Sequence, residues 1–160
     1  MERARKNASF LKAARFPMHR DLMSFGWKET PLQQARIEQL ATAGFMEQSY
    51  NLILVGGTGT GKTHLATALA VAAIHQGKRV RFYNAVDLVN QLDKEKQQGK
   101  AGNLAKQLSV MDAVIIDELG YLPFPAGKQI SVFSTNRPGS LPDGGGRAIF
   151  NTYLTQPPII

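Results

Sequence analysis

Apolar positions along this chain follow two rhythms, and the elements they predict alternate. Asn51 to Val55 ("NLILV") reads as a buried strand. From Lys62 to Gln76, Leu65, Ala66, Leu69, Ala73 and Ile74 recur at helical spacing, and Gly77 with Lys78 and Arg79 supplies a stop. Val80 to Tyr83 reads as a second strand. Asp87 to Gln98 reads as an increasingly polar helix, "QQGKAGN" as a break, and Leu104 to Leu108 as a short helix. Ala113 to Ile116 is an unbroken apolar run, as expected of a strand covered on both faces in a parallel sheet. Strand, helix, strand, helix, strand predicts an α/β fold with flanking helices.

Upstream, Arg3, Arg5, Lys6, Lys12, Arg15 and Arg20 surround small and apolar residues, and Pro17 ends a first helix. Two readings stay open: a solvated helix docking through Phe10, Leu11 and Ala14, or an arm contacting phosphates. Thr30-Pro31 reads as an N-cap with proline at the first helical position, and Leu32, Ala35, Leu40 and Ala43 continue at helical spacing to Gly44. Downstream of Phe124, prolines at 125, 138, 142, 157 and 158 and glycines at 144 to 146 leave no helical stripe. Ile130–Phe133 and Ala148–Phe150 are short strand candidates. The expected organisation is a basic helical N-terminal segment at 1–45, an α/β core at 46–126 and an irregular, divergent tail at 127–160.

At 160 residues, with 43% apolar and 19% charged residues, the composition suits one globular domain. The absence of cysteine excludes disulfides, thiolate metal sites and a cysteine nucleophile. No window approaches a membrane span, and the polar, basic N-terminus is unlike a secretory signal, so a cytoplasmic, membrane-free protein is expected. The formal net charge of +7 has the sign of a polyanion's partner.

Between the first strand and its helix lies "GGTGTGKT", Gly56 to Thr63, which satisfies G-x-x-x-x-G-K-[ST]. Glycines at 56, 57, 59 and 61, with Thr58 and Thr60 between them, let successive backbone N–H groups approach a phosphate. Lys62 would place its ammonium on the β/γ-phosphates of ATP, and the Thr63 hydroxyl would ligate Mg²⁺. A complementary acid belongs at the end of another buried strand, where Asp117 follows "AVII". Asp117 would hold Mg²⁺, and Glu118 would orient and deprotonate an attacking water.

"GGTGTGKTHLATALA" followed by "VIIDELGYLPF" resembles the IstB-like helper ATPases of bacterial insertion sequences, relatives of the replicative helicase loader DnaC. The run Thr63-His64-Leu65-Ala66 after the loop and Leu119-Gly120-Tyr121-Leu122-Pro123 after the acids carry the resemblance. It spans roughly Ala14 to Phe124 and includes "ARFPMHRDLMSFGW" and "IEQLATAGFMEQSYNLILVG" upstream. It implies an AAA+ P-loop NTPase that assembles as a homo-oligomer on double-stranded DNA in its ATP state and helps a transposase use its target. Gly56, Gly57, Gly59, Gly61, Lys62 and Thr63 match the family's nucleotide loop, and Asp117 and Glu118 its Mg²⁺ and catalytic acids. Phe25 and Trp27 sit where that upstream segment would approach the adenine, although simple packing is the competing reading. Beyond Gly127 the family pattern stops, and a truncated or frame-shifted C-terminal part, incomplete as an ATPase fold, is expected. Asn136, Arg137 and Arg147 are assigned no role.

Three functions compete: an ATP-hydrolysing, DNA-associated transposition helper or its helicase-loading counterpart; a nucleotide-binding remnant without turnover; and a P-loop kinase. Glu118 counts against the kinase, which needs no water-activating acid there.

Overall fold

The computed structural model describes residues 1–30, 32–47, 52–57 and 59–118, together with the backbone of 128–135. The elements run α1 (Glu2–Ala14), a 3-10 turn (Trp27–Glu29), α2 (Gln34–Ala41), α3 (Gly44–Glu47), β1 (Leu52–Gly57), α4 (Lys62–His75), β2 (Val80–Asn84), α5 (Ala85–Gln97), α6 (Asn103–Ser109), β3 (Ala113–Asp117) and β4 (Lys128–Thr135). Pro31 of the expected Thr30-Pro31 cap lies outside the described residues. Thr30 Oγ1 accepts from Leu32 N, and α2 begins only at Gln34, later than the stripe from Leu32 suggests, with Gln33 at its cap position.

The sheet order is β1-β4-β3-β2. The β2 and β3 strands pair in parallel, Asn84 opposite Asp117, as the α/β reading predicts. One of the two inner strands departs from an all-parallel sheet, because β4 runs antiparallel to both β1 and β3. It therefore separates the two strands that carry the loop and the acid, and the segment expected to be irregular from residue 127 holds a sheet strand. Its hydrogen-bonding groups satisfy those of β1 and β3, which would otherwise face each other across an open slot. The expected strand at 148–150 and residues Asn136, Arg137 and Arg147 lie outside the described residues.

Because β4 is reversed between them, β1, β2 and β3 all point the same way. Their carboxyl ends, Gly57, Asn84 and Asp117, share one edge of the sheet, where open α/β sheets place ligand sites. The carboxyl end of β4 is at the opposite edge, with Thr135 level with Ala113.

Helix α4 packs on this sheet and is buried nearly all round: Leu65, Ala66, Thr67, Ala68, Leu69, Ala70, Val71, Ala73 and Ile74 are inaccessible. It contacts α1 and α2 as well as the sheet strands, and Leu65, Leu69 and Ile74 are its largest fully buried side chains. Each such large side chain contributes about 1.5–3 kcal/mol by leaving water. The helix ends as its sequence predicts: Gly77 is left-handed at φ +86°, its N–H reaches Ile74 O, and Lys78 N–H reaches Ala73 O.

Residues Val80, Phe82, Ala113 and Ile115 alternate onto the α4 face and are buried. Their neighbours Val114 and Ile116 are only half-buried, so β3 is less completely covered on its second face than its apolar run suggests.

Helix α1 docks on this core. Ala14 is fully buried, and Phe10 and Leu11 pack partly buried against the same cluster. Arg3 and Asn7 both donate to His75 O, satisfying the end of α4, while Arg81 donates to Ala13 O at the end of α1. Arg3 is thus tied to the end of α4 while still exposed, as are Arg5, Lys6, Lys12, Arg15 and Arg20.

Candidate functional site: a glycine loop against a buried acid

The loop's glycines answer separate geometric demands. A Cβ on Gly56 would lie 2.8 Å from Thr60 Oγ1, a group already committed to Gly57 O at 2.8 Å. Gly61 has φ +91° at the cap of α4, and a Cβ there would meet the Phe25 ring at 3.2 Å. Its carbonyl accepts from Leu65 N, which opens the helix and leaves the earlier amides of α4 without intrahelical partners. Amides of that kind, at the positive end of a fourteen-residue helix, suit an anion. Thr58 lies outside the described residues.

Lys62 Nζ curls back into the loop, donating to Gly57 O at 2.5 Å and lying 3.4 Å from Thr60 Oγ1. Partial burial holds its ammonium below the usual lysine range, partly opposed by the charge of Asp117. A cationic group that burial disfavours is one that an incoming anion stabilises.

Asp117 is 6% exposed, and strand parity explains where it points. Ala113, Ile115 and Asp117 share the face that α4 covers, so the carboxylate meets the first turn of that helix, where Thr63 Oγ1 donates to Oδ2 at 2.6 Å. Two residues 54 positions apart thereby join in one oxygen-rich site. A hydroxyl and a carboxylate are hard donors of the kind Mg²⁺ takes. Among the described residues no group of three or more His, Cys, Asp and Glu could hold a metal by itself, so a cation here would draw its remaining ligands from phosphate and water.

Glu118 adopts φ +58°, a left-handed conformation uncommon for a residue with a side chain. Its Oε2 accepts from Asn84 Nδ2 at 2.5 Å, while Asn84 Oδ1 accepts from Val86 N and caps α5. The structure thus brings Lys62, Thr63, Asp117 and Glu118 to one edge and adds Asn84, which the sequence reading missed. An asparagine between an apolar strand and a helix is a strong N-cap signal that would have marked it.

His64 lines an open cavity of about 240 Å³ over the loop together with Gly59, Gly61, Lys62 and Thr63. Phe25 is nearly buried and Trp27 half-buried, their rings 4.9 Å apart, so Phe25 follows the packing alternative.

Residues 1–135 match the IstB-like ATP binding protein family. The chain belongs to that family. Its ATP-binding relatives from insertion sequences include that of IS21 from Pseudomonas aeruginosa, 41% identical over 116 residues, covering 72% of this chain and 44% of the relative. The corresponding protein named for IS5376 of Geobacillus stearothermophilus is 36% identical over 125 residues, covering 76% of this chain and 49% of its own length. That named for IS232 of Bacillus thuringiensis subsp. berliner is 31% identical over 116 residues, covering 72% and 46%. This IstB-like chain spans a little under half the length of these curated relatives. The match reaches residue 135 and so takes in β4, extending past the Phe124 limit that motif resemblance suggested. No helix among the described residues is long and apolar enough to cross a membrane.

Proposed function

We propose that this chain binds ATP with Mg²⁺ at Gly56–Thr63 and Asp117, and that it acts as a DNA-associated helper of insertion-sequence transposition. The observation that carries the nucleotide reading is the 2.6 Å bond from Thr63 to Asp117, which joins the glycine loop to a buried acid at the carboxyl edge of the sheet. In this reading the amides of Gly57 to Thr63 cradle the phosphates, and Lys62 exchanges its carbonyl partner for phosphate oxygens. Thr63 and Asp117 would hold Mg²⁺, which when bound neutralises phosphate charge. Glu118, oriented by Asn84, takes the proton of the attacking water. The names of the insertion-sequence relatives support the transposition setting, and with it a transposase partner; double-stranded DNA and assembly into a homo-oligomer belong to the reading through the family resemblance alone.

A second reading, nucleotide binding without turnover, is favoured by the reversed β4. Its carboxyl end, Thr135, lies level with Ala113, at the end of the sheet away from Lys62, whereas a polar sensor of the terminal phosphate belongs on a strand whose carboxyl end is on the Lys62 side. Phosphate release by the purified chain, with and without double-stranded DNA, separates the two. Turnover that DNA accelerates, and that Glu118→Gln abolishes while ATP still binds, is expected of the helper ATPase. Tight ATP binding with no release in any condition establishes the second reading.

A further inference from the structure

Residues 21–27 form a compact turn set directly against the start of α4. Ser24 N donates to Asp21 Oδ1 at 2.8 Å, Ser24 Oγ donates to Asp21 O at 3.1 Å, and Phe25 N reaches Leu22 O at 3.4 Å. This turn meets the loop through two side chains. His64 Nε2 lies 3.1 Å from Asp21 O and 3.3 Å from Ser24 Oγ. Since a carbonyl can only accept, the Asp21 contact places the proton on Nε2. The Phe25 ring stands edge-to-face on the His64 ring, at 5.2 Å and 87°, and its Cε2 closes over the position a Cβ on Gly61 would take.

Phe25 therefore rests on both residues that flank Lys62 and Thr63: Gly61, whose left-handed turn aims the first amides of α4, and His64, which lines the cavity. On its other side it contacts Trp27, the chain's single tryptophan.

We propose that Phe25 is a positioning residue for the nucleotide site, holding Gly61 and His64 in place, so that loop occupancy and docking of residues 21–27 stabilise each other. The inference rests on the nucleotide reading above. It assigns Phe25 no contact with the base: the ring is used up against Gly61 and His64. Coupling of this kind is reciprocal, so whatever ATP gains from the docked turn, the turn gains from ATP. Trp27, in contact with Phe25, is a built-in reporter of that docking.

The test uses the full chain, a fluorescent ATP analogue with Mg²⁺ for affinity, and Trp27 emission during titration with unlabelled ATP. Removing an aromatic side chain that orients a binding loop should weaken affinity about two- to tenfold, with Phe25→Ala at the upper end of that range. Phe25→Leu keeps apolar bulk and the fold, and should still lose about threefold. In the wild-type chain Trp27 emission should change as ATP saturates the site, and in Phe25→Leu the change should be blunted even at saturation. Unchanged affinity in Phe25→Leu overturns the inference, as does constant Trp27 emission while the analogue binds. Failure of the wild-type chain to bind the analogue overturns the nucleotide reading and this inference together, whereas wild-type binding matched by the variants overturns this inference alone.

Discussion

Replacing Lys62 by methionine separates its role toward ligand from its role in the fold, because the two effects have opposite signs. The side chain keeps nearly its length, so the change removes charge and one donor to Gly57 O. Two unit charges about 4 Å apart interact by about 4 kcal/mol at the effective dielectric of a protein surface and about 1 kcal/mol in water. The loop lies between these limits, so a loss of about 2–3 kcal/mol in ATP binding is expected, roughly a 30- to 150-fold rise in Kd. The ligand-free fold should respond the other way. Burial lowers the Lys62 pKa on folding, so the unfolded chain binds that proton more readily. The resulting cost is present wherever both states hold the proton, and stability rises with pH between the folded value and the ordinary lysine value. Removing the ammonium removes that cost, so Lys62→Met should not lower the ligand-free Tm, while the Tm increase produced by MgATP should largely vanish. Calorimetric titration and thermal unfolding with and without MgATP measure both. A variant that binds ATP within threefold of wild type, or loses several degrees of ligand-free Tm, refutes the reasoning.

Asn84→Ser retains a good N-cap for α5 but lacks the amide that reaches Glu118, so stability should change by less than about 1 kcal/mol while phosphate release changes clearly. Equal turnover would disconnect Asn84 from Glu118. If the chain binds DNA as proposed, changing exposed Arg5, Lys12 and Arg20 to glutamine should flatten the salt dependence of that binding by roughly 0.9 in log–log slope for each phosphate no longer neutralised, and an unaltered slope would leave the basic N-terminal segment a role in the fold alone. Point changes are the right perturbation, because deleting the segment would strip Phe10, Leu11 and Ala14 from the core.

The elements and the glycine loop were legible in the sequence because their causes are local. The apolar run from Leu65 to Ile74 declares a buried helix, Gly77 declares its end by tolerating positive φ, and "GGTGTGKT" between a strand and a helix is complete within eight residues. Asp117 was legible for a similar reason, since it closes an apolar run. What only the tertiary structure decided depends on groups distant in sequence that must satisfy each other. Arg3 is drawn from the basic N-terminal charge to cap His75, Asn84 reaches from the end of β2 to Glu118 beyond β3, and Phe25 settles over Gly61 rather than standing open. The direction of β4 belongs with these. A strand's own residues do not state which way it will pair, and β4 takes the antiparallel direction against both β1 and β3, the slightly more stable ladder per residue.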